Sequence, residues 1–161
     1  MTRMHVHLYE KMWMGAAAGM IVLFVGVVLW AGLLGAQHPP SHVETIDPTQ
    51  ARKDPRFAQP RVITRADGSV EVIVLAQMFS FAPGEIRVPR NRPVTFRLTS
   101  PDVMHGFQIV ATNGNTMVVP GYVSQFTTVF NTPGNYLIVC NEFCGLGHHM
   151  MQGRLIVEGA P

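Results

Sequence analysis

The amino-acid sequence predicts a mainly β protein: one N-terminal transmembrane helix followed by a Greek-key β-sandwich or barrel. Three observations carry this. From Met12 to Gln37 the run "MWMGAAAGMIVLFVGVVLWAGLLGAQ" contains no charged side chain. No helical period of any length follows residue 40. Instead, about ninety residues alternate apolar and polar side chains in short segments broken by Pro and Gly, as in stacked sheets. A chain of 161 residues has room for one compact domain plus one accessory element.

Residues 1–11 form a short segment carrying Arg3 and Lys11. Residues 12–37 would make a helix of roughly 39 Å, enough to cross a hydrocarbon core of about 30 Å with some tilt. Trp13 and Trp30 lie near the two ends, where indole rings sit at headgroups. The run exceeds the apolar stretch of a cleavable signal, and "LLGAQ" lacks a small residue at the right place, so a permanent anchor is expected. Arg3 and Lys11 precede the helix, whereas no Lys or Arg follows it until Arg52. The positive-inside bias therefore puts the N-terminus in the cytoplasm and the rest of this single-pass chain outside the plasma membrane.

Residues 38–65 are rich in Pro, Asp and basic side chains without apolar period and read as a linker. Arg52, Lys53, Arg56, Arg61 and Arg65 within it would face solvent or lipid headgroups. A net charge of +2 without a basic stripe excludes a nucleic-acid partner. Residues 66–161 form the outer domain. Its expected strands are "SVEVIVLA", "EIRV", "PVTFRLT", "HGFQIVA", "NTMVVP", "QFTTVF", "NYLIVC" and "GRLIVE". Turn signals separate them, among them Asp67-Gly68, Pro83-Gly84, Asn113-Gly114, Pro120-Gly121 and Pro133-Gly134.

The chemistry is concentrated in "CNEFCGLGHHMM", Cys140 to Met151, which holds both cysteines of the chain. Cys144 follows Cys140 by four, His148 follows Cys144 by four, and Met151 follows His148 by three. One loop folding back on itself can aim two thiolates, an imidazole and a thioether at one point. A second imidazole is available from His105 in "SPDVMHGF", the one histidine of the outer domain beyond the loop. His149 and Met150 are adjacent to these groups and cannot easily reach the same metal. His5, His7, His38 and His42 lie in flanking segments and receive no role. Thiolate, imidazole and thioether together select copper. Two cysteines suit two coppers bridged by both sulfurs, each with one imidazole, and with weak contacts from Met151 and a backbone carbonyl.

This stretch resembles the dinuclear copper motif of cytochrome c oxidase subunit II, Cys-x-Glu-x-Cys-Gly-x-x-His-x-x-Met. With one helix instead of two, the chain looks like the short form found in B-type heme-copper oxidases. The resemblance implies a cupredoxin-like outer domain, with Cys140 and Cys144 as bridging thiolates and His105 and His148 as terminal imidazoles. It further implies Met151 as the weak axial ligand and Glu142 as the donor of a backbone carbonyl. In long-form relatives the carboxylate at the Glu142 position also touches magnesium at the interface with subunit I. An external c-type cytochrome or small copper protein would supply single electrons, passed on to heme in subunit I, where oxygen is reduced and protons are translocated. This chain would be a non-catalytic electron-transfer subunit.

Two weaker resemblances add candidates. "LYEKMW" looks like a segment whose glutamate, here Glu10, stands at the mouth of a proton path; a capping or headgroup-facing carboxylate is the alternative. "LAQMFSFAP" aligns with an aromatic stretch near the face where electrons enter, with Phe79 and Phe81 as candidates and core packing as the alternative. For the cysteines, a disulfide would leave both imidazoles and Met151 unexplained. Structural zinc prefers closer cysteine spacing and no thioether. The dicopper domain of a nitrous oxide reductase-like enzyme would come with a propeller, and a stand-alone copper carrier would expose its ligands.

Overall fold

A computed structural model describes residues 7–33 and 43–159, which fall into two units, Met1–His42 and Val43–Pro161. In the first unit a helix, α1, runs from Leu8 to Leu33. It begins four residues before the charge-free run, because Glu10 in its first turn meets the positive end of the helix dipole. Residues 34–37 of the expected anchor lie outside the described residues. No side chain of α1 is buried and apolar groups surround it, the pattern of a helix meant for an apolar solvent. It is long and apolar enough to cross a membrane.

Among the described residues the second unit contains ten strands: β1 (Arg61–Thr64), β2 (Val70–Gln77), β3 (Ser80–Ala82), β4 (Glu85–Pro89), β5 (Pro93–Thr99), β6 (His105–Ile109), β7 (Asn115–Val118), β8 (Ser124–Val129), β9 (Gly134–Val139) and β10 (Gln152–Glu158). One sheet runs β1-β2-β5-β8 with β3 also on β2; the other runs β4-β10-β9-β6-β7. The architecture is a β-sandwich. The eight segments expected from alternation are β2 and β4 to β10, while β1 and β3 are additional.

Period-two alternation places the core between the sheets. Val94, Phe96 and Leu98 of β5 point inward, as do Ile86 and Val88 of β4 and Leu155 and Val157 of β10. Phe96 stacks on Phe126 at 4.9 Å between ring centroids. Phe81 meets Phe107 edge-on at 5.4 Å.

The linker expectation for residues 38–65 does not hold over 43–65. Ile46, Ala51 and Phe57 are buried and form a second cluster with Ile73 and Leu75, on the outer face of β2. β2 is therefore covered on both faces, which is why its side chains are nearly all buried. Charge completes the attachment: Glu44 pairs with Arg56 and with Arg97 of β5, and Arg56 also pairs with Asp54. Three apolar residues at irregular spacing carry no period, so composition alone reads this packed segment as a tether.

The antiparallel pairings bring the start of β6 and the end of β9 to one end of the sandwich, where the loop to β10 also begins. The Cys140 amide donates to the Met151 carbonyl at 3.2 Å, closing the neck of that loop.

Candidate metal centre

Four backbone features aim the side chains. His105 opens β6 and is wholly buried. Cys140 follows β9 directly. A 3-10 turn over His148–Met150 then turns the chain, and Met151 stands just before β10. Gly106 permits the approach of the two walls: a Cβ there would overlap the Asn141 side chain and stand 2.9 Å from the Glu142 nitrogen.

The ligating atoms of His105, Cys140 and Cys144 lie within 4.8 Å of one another. The Cys140 and Cys144 sulfurs are 3.8 Å apart and both thiols are free. Cys144 Sγ stands 3.7 Å from His148 Nδ1 and 3.7 Å from Met151 Sδ. The Cys140 Sγ lies 3.1 Å from the carbonyl oxygen of Glu142. Met151 is 2% exposed, whereas its neighbours His149 and Met150 face solvent.

The electrostatics call for a cation. Burial, and then the neighbouring Cys140, push the Cys144 thiol up to about 11. Two adjacent thiolates would therefore not form here without compensating positive charge. His105 Nε2 lies 2.9 Å from Asp102 Oδ1. An ionised carboxylate only accepts, so Nε2 carries a ring proton, and in the neutral ring the lone pair is on Nδ1. Among the described residues, that Nδ1 is the buried side-chain nitrogen or oxygen without a partner. Such an atom is costly unless a metal takes it. Burial works to raise the Asp102 carboxyl, but hydrogen bonds from His105, the Met78 and Val103 amides and Ser100 outweigh it and hold the group below its ordinary range. Soft sulfur and imidazole donors in a closed pocket suit copper.

Phe79 is half-exposed and its ring lies on the ligand loop: a Cβ at Gly147 would stand 2.6 Å from ring carbon Cδ2, and one at Gly145 3.1 Å from Cε1. Gly145 also has φ of +128°, a conformation open to glycine. Phe81 is 4% exposed and belongs to the core, so it forms no part of an outer surface. Phe79 stands in the turn between β2 and β3 and Phe81 on β3, two residues apart, and only Phe81 is covered by the second sheet. Glu10 lies exposed in the first turn of α1. Asp102 escaped the sequence reading because "SPDV" marks a turn; its place three residues before the upstream histidine was the available signal.

Residues 69–159 match the family described as cytochrome c oxidase subunit II, periplasmic domain. A cytochrome c oxidase subunit 2 of Thermus thermophilus is 37% identical over 158 residues, covering 93% of this chain and 92% of the relative. A second Thermus thermophilus protein of that name is 41% identical over 122 residues, covering 74% of this chain and 90% of its own length. Among solved structures, a chain from a heme-copper terminal oxidase dimer aligns with a TM-score of 0.64 at 34% identity, covering 93% of this chain and 99% of that one. The periplasmic domain of subunit II of the Bradyrhizobium japonicum cytochrome oxidase shares the fold, with a TM-score of 0.51 at 18% identity over 60% of this chain and 88% of its own. With more than half of its length matching the family and a relative aligned almost end to end, this chain belongs to the cytochrome c oxidase subunit II family.

Proposed function

We propose that this chain accepts single electrons from an external donor and delivers them to heme in subunit I of a heme-copper oxidase. Cys140 and Cys144 would bridge two copper ions, His105 and His148 would each hold one, and Met151 and the Glu142 carbonyl would make weak contacts. When bound, such a pair supplies one-electron storage shared over two metals. The observation that carries this reading is the convergence of His105, Cys140 and Cys144 within 4.8 Å, with the buried His105 Nδ1 otherwise unpartnered.

The protein's own contribution is a fixed, dry pocket. Burial of His105, Cys140, Cys144 and Met151 excludes water, and the hydrogen-bonded neck holds the loop ends together. Little has to move when the charge changes. The rim of the loop is apolar: Leu146 is 94% exposed and Phe143 74%, and the Phe143 ring lies 5.8 Å from the His148 ring. Exposed apolar side chains around a redox site fit the docking of a c-type cytochrome or small copper protein. The carboxylate of Glu142 would be left for magnesium at the interface with subunit I, an ion that takes oxygen ligands. α1 would anchor the chain in the plasma membrane as a single span with its N-terminus cytoplasmic, and the unit from Val43 would lie outside.

The test is metal analysis with an EPR spectrum of the full chain in detergent after copper loading. Two coppers per chain and one unpaired electron spread over two nuclei are expected. A single copper with a mononuclear spectrum, or stoichiometric zinc in its place, overturns the dicopper assignment.

A further inference from the structure

We propose that Asp102 is a positioning residue that joins the two walls of the copper site, holding His105 with one carboxylate oxygen and the turn that seats Phe79 with the other. The inference builds on the copper assignment above and adds a coupling between parts that are distant in sequence.

The geometry points there directly. Asp102 Oδ1 accepts from His105 Nε2 at 2.9 Å and from the Val103 amide at 2.7 Å. Asp102 Oδ2 accepts from the Met78 amide at 2.9 Å, across a separation of 24 residues. Phe79, the next residue, lies on the backbone at Gly145 and Gly147. The ligand loop thus rests on an aromatic ring whose own backbone is tied to the carboxylate that orients the upstream imidazole. Two acceptor oxygens are needed for this. An asparagine has a single acceptor oxygen, its other terminal atom being an NH2 donor, so it can hold either the ring or the turn but not both. Outer-shell partners that fix a histidine's tautomer are commonly worth about 10–100-fold in metal affinity.

The experiment uses the full chain in detergent, as wild type, Asp102→Asn, Asp102→Ala, Phe79→Ala and Asp102→Asn combined with Phe79→Ala. Ring-nitrogen NMR of the metal-free chain reads the His105 tautomer, amide exchange reads Met78, and competition with a chelator reads copper affinity. In D102A the Nε2–H tautomer should lose its dominance, Met78 exchange should accelerate, and copper affinity should fall about 10–100-fold. In D102N the tautomer should be retained, because the amide oxygen still accepts from Nε2, while Met78 exchange accelerates. Its affinity loss should match that of F79A, and the double variant should lose no more than either single one. Wild-type tautomer, exchange and affinity in D102A overturn the proposal. So do additive losses in the double variant. The tautomer and exchange readings need no metal, so a wild-type chain that bound no copper would fail the copper assignment separately.

Discussion

Gly147 and Phe79 are in direct contact: a Cβ on Gly147 would stand 2.6 Å from Cδ2 and 2.7 Å from Cγ of the phenylalanine ring. The glycine in the ligand loop is there to let an aromatic ring from the β2–β3 turn lie against it. Gly147→Ala should destabilise the second unit by about 1–3 kcal/mol, the usual cost of overpacking. In a Phe79→Ala background the same change should cost far less, since the ring that it meets is gone. Denaturant unfolding of the four chains tests this, and an equal cost in both backgrounds would refute the contact.

Gly106 gives a second prediction, on the other wall of the site. The space where its Cβ would go is taken by the Asn141 side chain and the Glu142 amide. Gly106→Ala should push the Asn141–Glu142 stretch away from His105 and weaken copper retention against a chelator. Gly121→Ala serves as the control: unlike Gly106 it carries positive φ, and a Cβ there meets nothing. It should strain the backbone and leave copper retention as it was.

Phe57 tests whether residues 43–65 are packed structure. Its side chain is fully buried in the cluster with Ile46, Ala51, Ile73 and Leu75. Phe57→Ala should cost about 3–5 kcal/mol, as for a large buried aromatic. A tether would lose nothing measurable in the same unfolding experiment.

Acid sensitivity follows from Asp54. Hydrogen bonds from the Arg56 side chain, then from its amide, lower this carboxyl from 3.8 to about 2. A carboxyl depressed in the folded state contributes stability that is complete above its unfolded value. That contribution is lost as pH falls through the folded value. Unfolding free energy should therefore decline between about pH 4 and pH 2 in the wild type. Asp54→Asn should flatten that part of the profile, and an unchanged slope in the variant would remove the pair from the account.

Much of this was legible because period-two alternation and Pro-Gly punctuation are strong signals: β2 and β4 to β10 all carry them. β1 and β3 do not. "RVIT" is four residues long and sits among basic side chains, and "SFA" offers only three residues of pattern. The candidate ligands were legible because their chemistry is crowded into one loop plus His105. Asp102 and the seat of Phe79 were not, because each depends on a contact between segments that the sequence keeps far apart. Phe81 shows the same limit from the other side: two aromatics at i, i+2 look alike until a second sheet covers one of them.

The strand order has a consequence for how the molecule is made. β10, the last strand among the described residues, lies inside its sheet, between β4 and β9. During synthesis the second sheet stays open until Glu158 has left the ribosome, and the loop from Cys140 to Met151 has no second anchor before then. The soft ligands are thus the last part of the domain to find their places, after both ends of the loop can be tied. A chain that stops before β10 has two thiols and no closed pocket, so the pocket depends on β10 being in place.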